Sequence, residues 1–334
     1  QFMIDSVQRP SSQNTDRIHS LDAYRGVLML LGIVIHGAIP FLHHGQMNVS
    51  QIIVRFSFWF VHLFRMPAFF ILAGFFGALL RQRYGQKGAL RNRFERIILP
   101  LLACVFIGPA VVLYPVMMIG HWYNHVEQST TTALVDTVNE VLSNAGDLGH
   151  LWFLYYLAWS TVLVAGWIRW QERRGKDWST WLVKLRQVFT SPMYFVVFFA
   201  SANAILAFGG FLFEGQGLVG VPIDTQWLFH PGTLLYFTLF YGLGWMLFVS
   251  KVDLSTSENR AWTLTLLGAI CVFIYSNLRS TYDTDPFTLS SPSVVSGSFF
   301  LLMLALWSIA LFSLTRGLMG LFYRYAAEKS DGWR

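Results

Sequence analysis

Charged residues are scarce in this chain of 334 residues: they make up 13% of it, whereas soluble domains contain about 25%. Hydrophobic residues account for 54% of the sequence and aromatic residues for 17%. A soluble fold of this size has too little interior to hide so much apolar surface from water. The 24 basic and 18 acidic residues are bunched between long apolar runs, which argues against a nucleic-acid-binding protein with one basic face.

Cysteines and the common catalytic fingerprints are also scarce or missing. The chain has two cysteines, both inside apolar runs, so no disulfide framework is predicted. It contains no P-loop, no dinucleotide-binding glycine motif and no HExxH zinc motif. The histidine pairs His43-His44 and His121 with His125 lack a supporting pattern of carboxylates or cysteines, so no bound metal is expected.

Apolar runs long enough to cross a bilayer recur along the chain. A spanning helix needs about 18–20 apolar residues, and in lipid such a run must be helical because its backbone donors find partners only within the segment. The sequence therefore predicts an all-α, polytopic transmembrane helix bundle with about eight spans. The predicted spans are 22–42, 52–80, 97–119, 149–168, 190–213, 229–249, 261–278 and 293–315. Residues 1–21 and 316–334 are predicted to be flanking cytoplasmic segments, with 22–315 as the transmembrane domain.

The charges between the runs alternate in sign. Every second loop and both tails are rich in Lys and Arg, whereas the other loops are acidic, with Arg279 nearly the only basic residue among them. Because basic loops stay in the cytoplasm, both termini are predicted to be cytoplasmic and the acidic loops to lie outside. The first run has no obvious small-residue cleavage site, so no cleavable signal peptide is predicted.

The first apolar run contains an unusual set of polar residues. Arg25 and His36 are eleven residues apart, about three helical turns, so they share one face, along which Asp22 also lies. Ionisable groups inside a membrane usually mark a functional site. A neutral histidine accepts a proton from a hydroxyl near pH 7, as a general base must. The structural alternative is that Arg25 extends to the membrane surface and His36 hydrogen-bonds a neighbouring helix.

The second run carries three further ionisable residues in its outer half. Arg55, His62 and Arg65 lie on one side of the predicted helix. Arg65 needs an acidic partner, a carbonyl-lined cavity or an anionic ligand at this depth.

Two more groups lie at the ends of later runs. Arg93 and Arg96, three residues apart before the third run, are expected to point the same way and would suit a phosphate, although anchoring at the cytoplasmic face also explains them. At the start of the fourth run, Trp152 is typical of an aromatic belt, and the neighbouring His150 is placed to face a polar substrate.

In order and spacing these motifs resemble the membrane acyltransferase-3 family, most closely its glucan biosynthesis protein C branch. The resemblance covers about the first half of the chain, and the second half matches only in hydropathy. The matching segments are Leu21-Asp22 through Arg25 to His36, Phe64-Arg65-Met66 with Phe69-Phe70 and Gly74-Phe75, Arg93-x-x-Arg96 before Pro100, and Gly149-His150-Leu151-Trp152-Phe153-Leu154.

The resemblance implies an integral membrane O-acyltransferase of the bacterial inner membrane. It would move a succinyl or acetyl group from cytoplasmic acyl-CoA, a donor substrate and not a bound cofactor, to a hydroxyl of a periplasmic or cell-surface glucan. Its partners would be the acyl-CoA, the glycan acceptor and the lipid bilayer, with no nucleic acid. The implied residues are His36 as base or acyl acceptor with Arg25 and Asp22, Arg93 and Arg96 for the donor, and Arg65, His62, His150 and Trp152 for the substrates.

The chain departs from the family pattern in two respects. Relatives that acetylate O-antigen carry a glutamate shortly after the Trp of the fourth helix, where this chain has Tyr155-Tyr156, and this favours the glucan branch. Family members usually have ten spanning helices, so a further pair is expected beyond Arg334.

Two other functions fit a multispanning protein. A transporter of a small anionic or sugar-like solute would place polar residues near the midplane of several helices, whereas here the intramembrane charges crowd into the first two runs. The other is a non-catalytic scaffold or sensor, in which His36 only packs.

Overall fold

In the computed structural model, the described residues include eight α-helices and one π-helical segment, and none of these residues lies in a β-strand. The structure describes residues 12–38, 41–42, 49–108, 135, 139, 148, 151–175, 188–214, 230–251, 258, 260–282 and 297–326. The helices are α1 (Ser12–Ala38), α2 (Val49–Arg93), the π-helical segment (Phe94–Ile98), α3 (Leu99–Gly108), α4 (Trp152–Arg173), α5 (Pro192–Glu214), α6 (Pro231–Val249), α7 (Ala261–Tyr282) and α8 (Gly297–Tyr325). The predicted all-α membrane fold is confirmed.

Each of the eight predicted runs contains one of these helices or part of one. Five helical stretches of the described residues are long and apolar enough to cross a membrane. They are His19–Ala38, Val49–Val105, Pro231–Val249, Ala261–Arg279 and Ser298–Tyr325. The helix α4 is less apolar because it is rich in Trp and Tyr. In α5, the apolar stretch is the shorter segment Pro192–Ala207. The predicted domain limits, 22 and 315, fall inside α1 and α8.

The stretch from Val49 to Val105 contains a reversal of the chain. Its 57 residues would extend roughly 85 Å as one helix, against about 30 Å of hydrocarbon. Gly85 interrupts α2 with a φ of 69°, a backbone conformation that glycine adopts without a steric penalty. Nη2 of Arg93 donates a hydrogen bond of 2.7 Å to the carbonyl oxygen of Ala73, although a straight helix would separate these residues by roughly 30 Å. The chain therefore reverses direction at Gly85, and the residues after Gly85 pack against the helix that precedes it.

The chain divides into two compact units. Unit 1 comprises Gln1–Leu72, Asp177–Val221 and Met246–Arg334, and unit 2 comprises Ala73–Lys176 and Pro222–Trp245. In unit 1, α8 packs against α1, α5 and α7 and is its central helix. In unit 2, the π-helical segment packs against α3 and α4.

Glycines allow α7 and α8 to approach closely in unit 1. A Cβ atom on Gly268 would lie 2.6 Å from Cγ of Leu314, and one on Gly317 would lie 2.7 Å from the backbone nitrogen of Thr265. Because the residue numbers rise along one helix as they fall along the other, the two helices are antiparallel. Close backbone approach at small residues is the usual way in which membrane helices gain packing contacts.

In unit 2, α2 and α6 also approach each other closely at a glycine. Gly74 lies so close to the carbonyl group of Tyr241 that a Cβ atom would overlap it, and the same Cβ would be 3.0 Å from the backbone nitrogen of Trp245. A hydrogen bond of 3.1 Å between the hydroxyls of Ser160 and Thr238 joins α4 to α6. The helix α6 is therefore held on two sides within this unit.

We expect Gly74→Ala to destabilise the protein, because the methyl group meets backbone that cannot rotate away. Overpacking of this kind costs about 1–3 kcal/mol. The matched control is Gly242→Ala on α6, where a Cβ atom has no neighbour within 4 Å. Thermal unfolding of the purified protein in detergent, followed by tryptophan fluorescence, should show a lower midpoint for Gly74→Ala alone. Equal midpoints for the two variants would contradict the close contact.

Candidate active site

The helix α1 presents its polar residues on an exposed face. Tyr24 is buried, and its ring packs against Phe322 of α8 with centroids 5.0 Å apart. Nη2 of Arg25 lies 3.1 Å from Oδ1 of Asp22, so these two residues form an ion pair. The exposed stripe on α1 consists of Arg25, Met29, Ile33 and His36. The expectation that Arg25 and His36 share one face agrees with this pattern.

Arg65 of α2 reaches α1 next to this stripe. A Cβ atom on Gly32 would lie 2.8 Å from Nη1 of Arg65, so the guanidinium lies against the Gly32 backbone. Gly32 precedes His36 by four residues, one helical turn. Nε of Arg65 is buried and finds no hydrogen-bond partner in the part of the chain that the structure describes. The fold thus places a cation about one turn from the candidate base.

His62 lies among aromatic rings of the same helix. Its ring stacks on Phe58 with centroids 5.1 Å apart and meets Trp59 edge-on at 5.6 Å. The charges of Arg65 and Arg279 both act on His62. Arg65 follows His62 by three residues on α2, and Arg279 of α7 lies over Trp59, the ring that borders His62.

Arg279 is a buried cation that the sequence-based site did not include. Its guanidinium lies 4.6 Å from the centroid of the Trp59 ring, and its Nη1 donates a hydrogen bond of 3.0 Å to the hydroxyl of Tyr275. One signal for it was present in the sequence, because Arg279 is nearly the only basic residue of the acidic loops. A single sequence does not reveal that Arg279 contacts Trp59 of α2.

In unit 2, Arg93 and Arg96 face different surroundings. Arg93 is turned inward to the carbonyl oxygen of Ala73, and a Cβ atom on Gly77 would be 3.5 Å from its Nη2. Arg96 is exposed within the π-helical segment. The two residues thus differ in burial, and the expectation that both point the same way at the cytoplasmic face stays a prediction.

The start of α4 packs against α6. The ring of Trp152 lies 5.5 Å from Phe237 and 6.2 Å from Tyr156, measured between centroids. The hydroxyl of Tyr156 accepts a hydrogen bond of 3.2 Å from the backbone N–H of His230, an exposed residue that sequence reasoning did not single out. Trp152 is half-buried. His150, predicted to lie beside it, is outside the described residues.

The chemistry available in unit 1 suits transfer of a group to a hydroxyl. An exposed imidazole can act as a base for a hydroxyl proton. A neighbouring guanidinium supplies paired donors for a carboxylate or for oxygen that becomes negative. Both stand within membrane-spanning helices, where ionisable side chains are retained mainly for function.

Comparison with known proteins supports this interpretation. A family model described as an acyltransferase domain matches residues 18–326. The glucans biosynthesis protein C of Salmonella paratyphi B is 27% identical over 320 residues, which is 92% of this chain and 77% of that protein. The proteins of the same name from Salmonella gallinarum and Salmonella paratyphi A are 27% and 26% identical over the same shares. No solved structure matches the chain.

The matched segment covers most of the chain, including all the membrane-spanning helices described above. The resemblance that the motifs of the first half indicated is confirmed, and it extends through α8. The chain therefore belongs to this acyltransferase family, acyltransferase-3, and is a multipass membrane acyltransferase.

Proposed function

We propose that the protein transfers an acyl group, succinyl or acetyl, from cytoplasmic acyl-CoA to a hydroxyl of a glucan on the outer side of a bacterial inner membrane. The observation that carries the proposal is the position of His36. It is exposed on a membrane-spanning helix, one turn from the glycine that contacts the Arg65 guanidinium. The name shared by the relatives supports a role in glucan biosynthesis.

In the proposed reaction, His36 takes the proton of the glucan hydroxyl. The oxygen attacks the thioester carbon, the carbon–sulfur bond breaks, and CoA leaves as the thiolate, which is then protonated. A two-step variant, in which the imidazole first accepts the acyl group and then gives it to the glucan, uses the same residue. Arg65 and His62 bind the reacting substrates beside it, and Asp22 orients Arg25 at the cytoplasmic end of α1.

Arg96 is the residue proposed to bind the phosphates of the donor. It is exposed, it belongs to the basic segment before the third predicted run, and a guanidinium matches phosphate geometry. Arg93 helps to present it, because its hydrogen bond to Ala73 fixes the start of the π-helical segment. Trp152 and His150 are proposed to contact the glycan, since an indole face stacks well on a sugar ring.

His36→Ala should abolish most of the transfer, because a positioned general base contributes about 10²–10⁴-fold. The assay is transfer of labelled acyl groups from acyl-CoA to glucan in membranes that contain equal amounts of wild type or variant. His19→Ala, an exposed histidine of the same helix, is the matched control and should keep the activity. Equal transfer by His36→Ala and wild type would remove His36 from the mechanism.

Arg96→Ala should raise the KM for acyl-CoA about tenfold with kcat largely kept, because a phosphate contact binds ground state and transition state alike. Initial rates over a range of donor concentrations measure this. Arg83→Ala, another exposed arginine of unit 2, should leave KM unchanged. An unchanged KM for Arg96→Ala, or the same rise for Arg83→Ala, would refute the assignment.

A further inference from the structure

Tyr241 of α6 lies on a pair of glycines of α2. Its carbonyl group is at Gly74, and its hydroxyl is at Gly77, where a Cβ atom would overlap Oη and lie 3.2 Å from Cζ. The two glycines are three residues apart, so they belong to the same face of the helix. Tyr241 is only 1% exposed. Both its backbone and its phenol ring are therefore held against α2.

Contacts on either side of Tyr241 fix the position of α6 along its neighbours. One turn before Tyr241, the hydroxyl of Thr238 is hydrogen-bonded to the hydroxyl of Ser160 on α4. One turn after it, the guanidinium of Arg81 on α2 lies 5.8 Å from the centroid of the Trp245 ring. Because α6 is held both before and after Tyr241, the phenol cannot slide along the face of α2.

Arg93 reaches the same glycine from the other arm of the turn. Gly77 and Arg93 are each eight residues from Gly85, as expected of two arms that lie side by side. Nη2 of Arg93 lies 3.5 Å from the point where a Cβ atom of Gly77 would be, and the Tyr241 hydroxyl approaches that same point. The same Nη2 donates its hydrogen bond to the carbonyl oxygen of Ala73. A cation and a hydroxyl therefore share the space that the glycine leaves free.

The position of Arg93 sets the direction of the π-helical segment. Arg93 immediately precedes this segment, and Arg96 is three residues further on. An arginine side chain has many rotamers, whereas a buried tyrosine ring has two torsions and fills its site. The phenol beside the guanidinium therefore limits the rotamers of Arg93 that would move it away from Ala73. The hydroxyl oxygen also stabilises a nearby cation, more strongly inside a protein than in water.

We propose that Tyr241 is a positioning residue for donor binding: its hydroxyl keeps Arg93 at the Ala73 carbonyl, and the π-helical segment then presents Arg96 to the donor phosphates. This rests on the proposed function and adds to it a residue from the second half of the chain. Because Tyr241 is buried, it acts through Arg93 and not by touching the donor. Removal of the hydroxyl should therefore weaken donor binding only where Arg93 is present.

The test is a double-mutant cycle on Tyr241 and Arg93, measured as the KM for the donor that wild type uses, succinyl-CoA or acetyl-CoA. This KM does not depend on how much of each variant is folded. Tyr241→Phe should raise it about three- to tenfold with kcat largely kept. In the background of Arg93→Gln, the same change should have no further effect on KM. Tyr236→Phe, which removes another hydroxyl of α6, is the matched control and should keep the wild-type KM.

The outcomes separate this proposal from the general function. If Tyr241→Phe leaves KM unchanged, or raises it by the same factor with and without Arg93, the proposal is refuted, although the acyl transfer stands. If wild type transfers no acyl group from either CoA thioester, the proposed function itself is overturned and this proposal falls with it. If Tyr241→Phe yields no product, Gly77→Ala decides, since its methyl group displaces the hydroxyl and leaves the tyrosine intact. A rise in KM that Arg93→Gln abolishes would then support the proposal, and any other result would refute it.

Discussion

The structure depends on one constraint: a guanidinium inside a membrane must be solvated by the protein itself, because hydrocarbon offers neither hydrogen bonds nor counter-charge. Arg316 of α8 is completely buried, donates a hydrogen bond of 3.0 Å to the carbonyl oxygen of Phe189 and lies 5.5 Å from the Phe195 ring. Arg279 uses a hydroxyl and an indole, and Arg93 uses the Ala73 carbonyl. The contacts of Arg316 with Phe189 and of Arg279 with Trp59 join segments that are distant in sequence, whereas Arg93 joins the two arms of the turn at Gly85. These cations therefore help to hold the packed segments together.

The features that the bilayer imposes can be predicted from the sequence. Departures of the backbone from a regular α-helix cannot. Apolar runs of sufficient length had to be helices, and the face shared by Arg25 and His36 follows from 3.6 residues per turn. The turn at Gly85 and the π-helical segment are not visible in hydropathy, because both are local changes of backbone angle within an otherwise continuous helical pattern.

The candidate site was likewise predictable only in part from the sequence. That Arg65 needed a stabilising environment was predictable, because its depth follows from position within an apolar run. That it lies against Gly32 was not, since this contact depends on how α1 and α2 approach each other. Arg279 gave one signal, its place among acidic loops, but its contact with Trp59 joins helices more than two hundred residues apart in sequence. Such contacts belong to the tertiary structure and leave no periodic pattern.

His36 and His62 both lie within spanning helices of unit 1, and their surroundings differ. His62 is stacked on Phe58 and bordered by Trp59, so its ring has little freedom to turn toward a hydroxyl. His36 is exposed on α1. A general base must come within about 3 Å of the proton-bearing oxygen, which favours the accessible imidazole over the confined one.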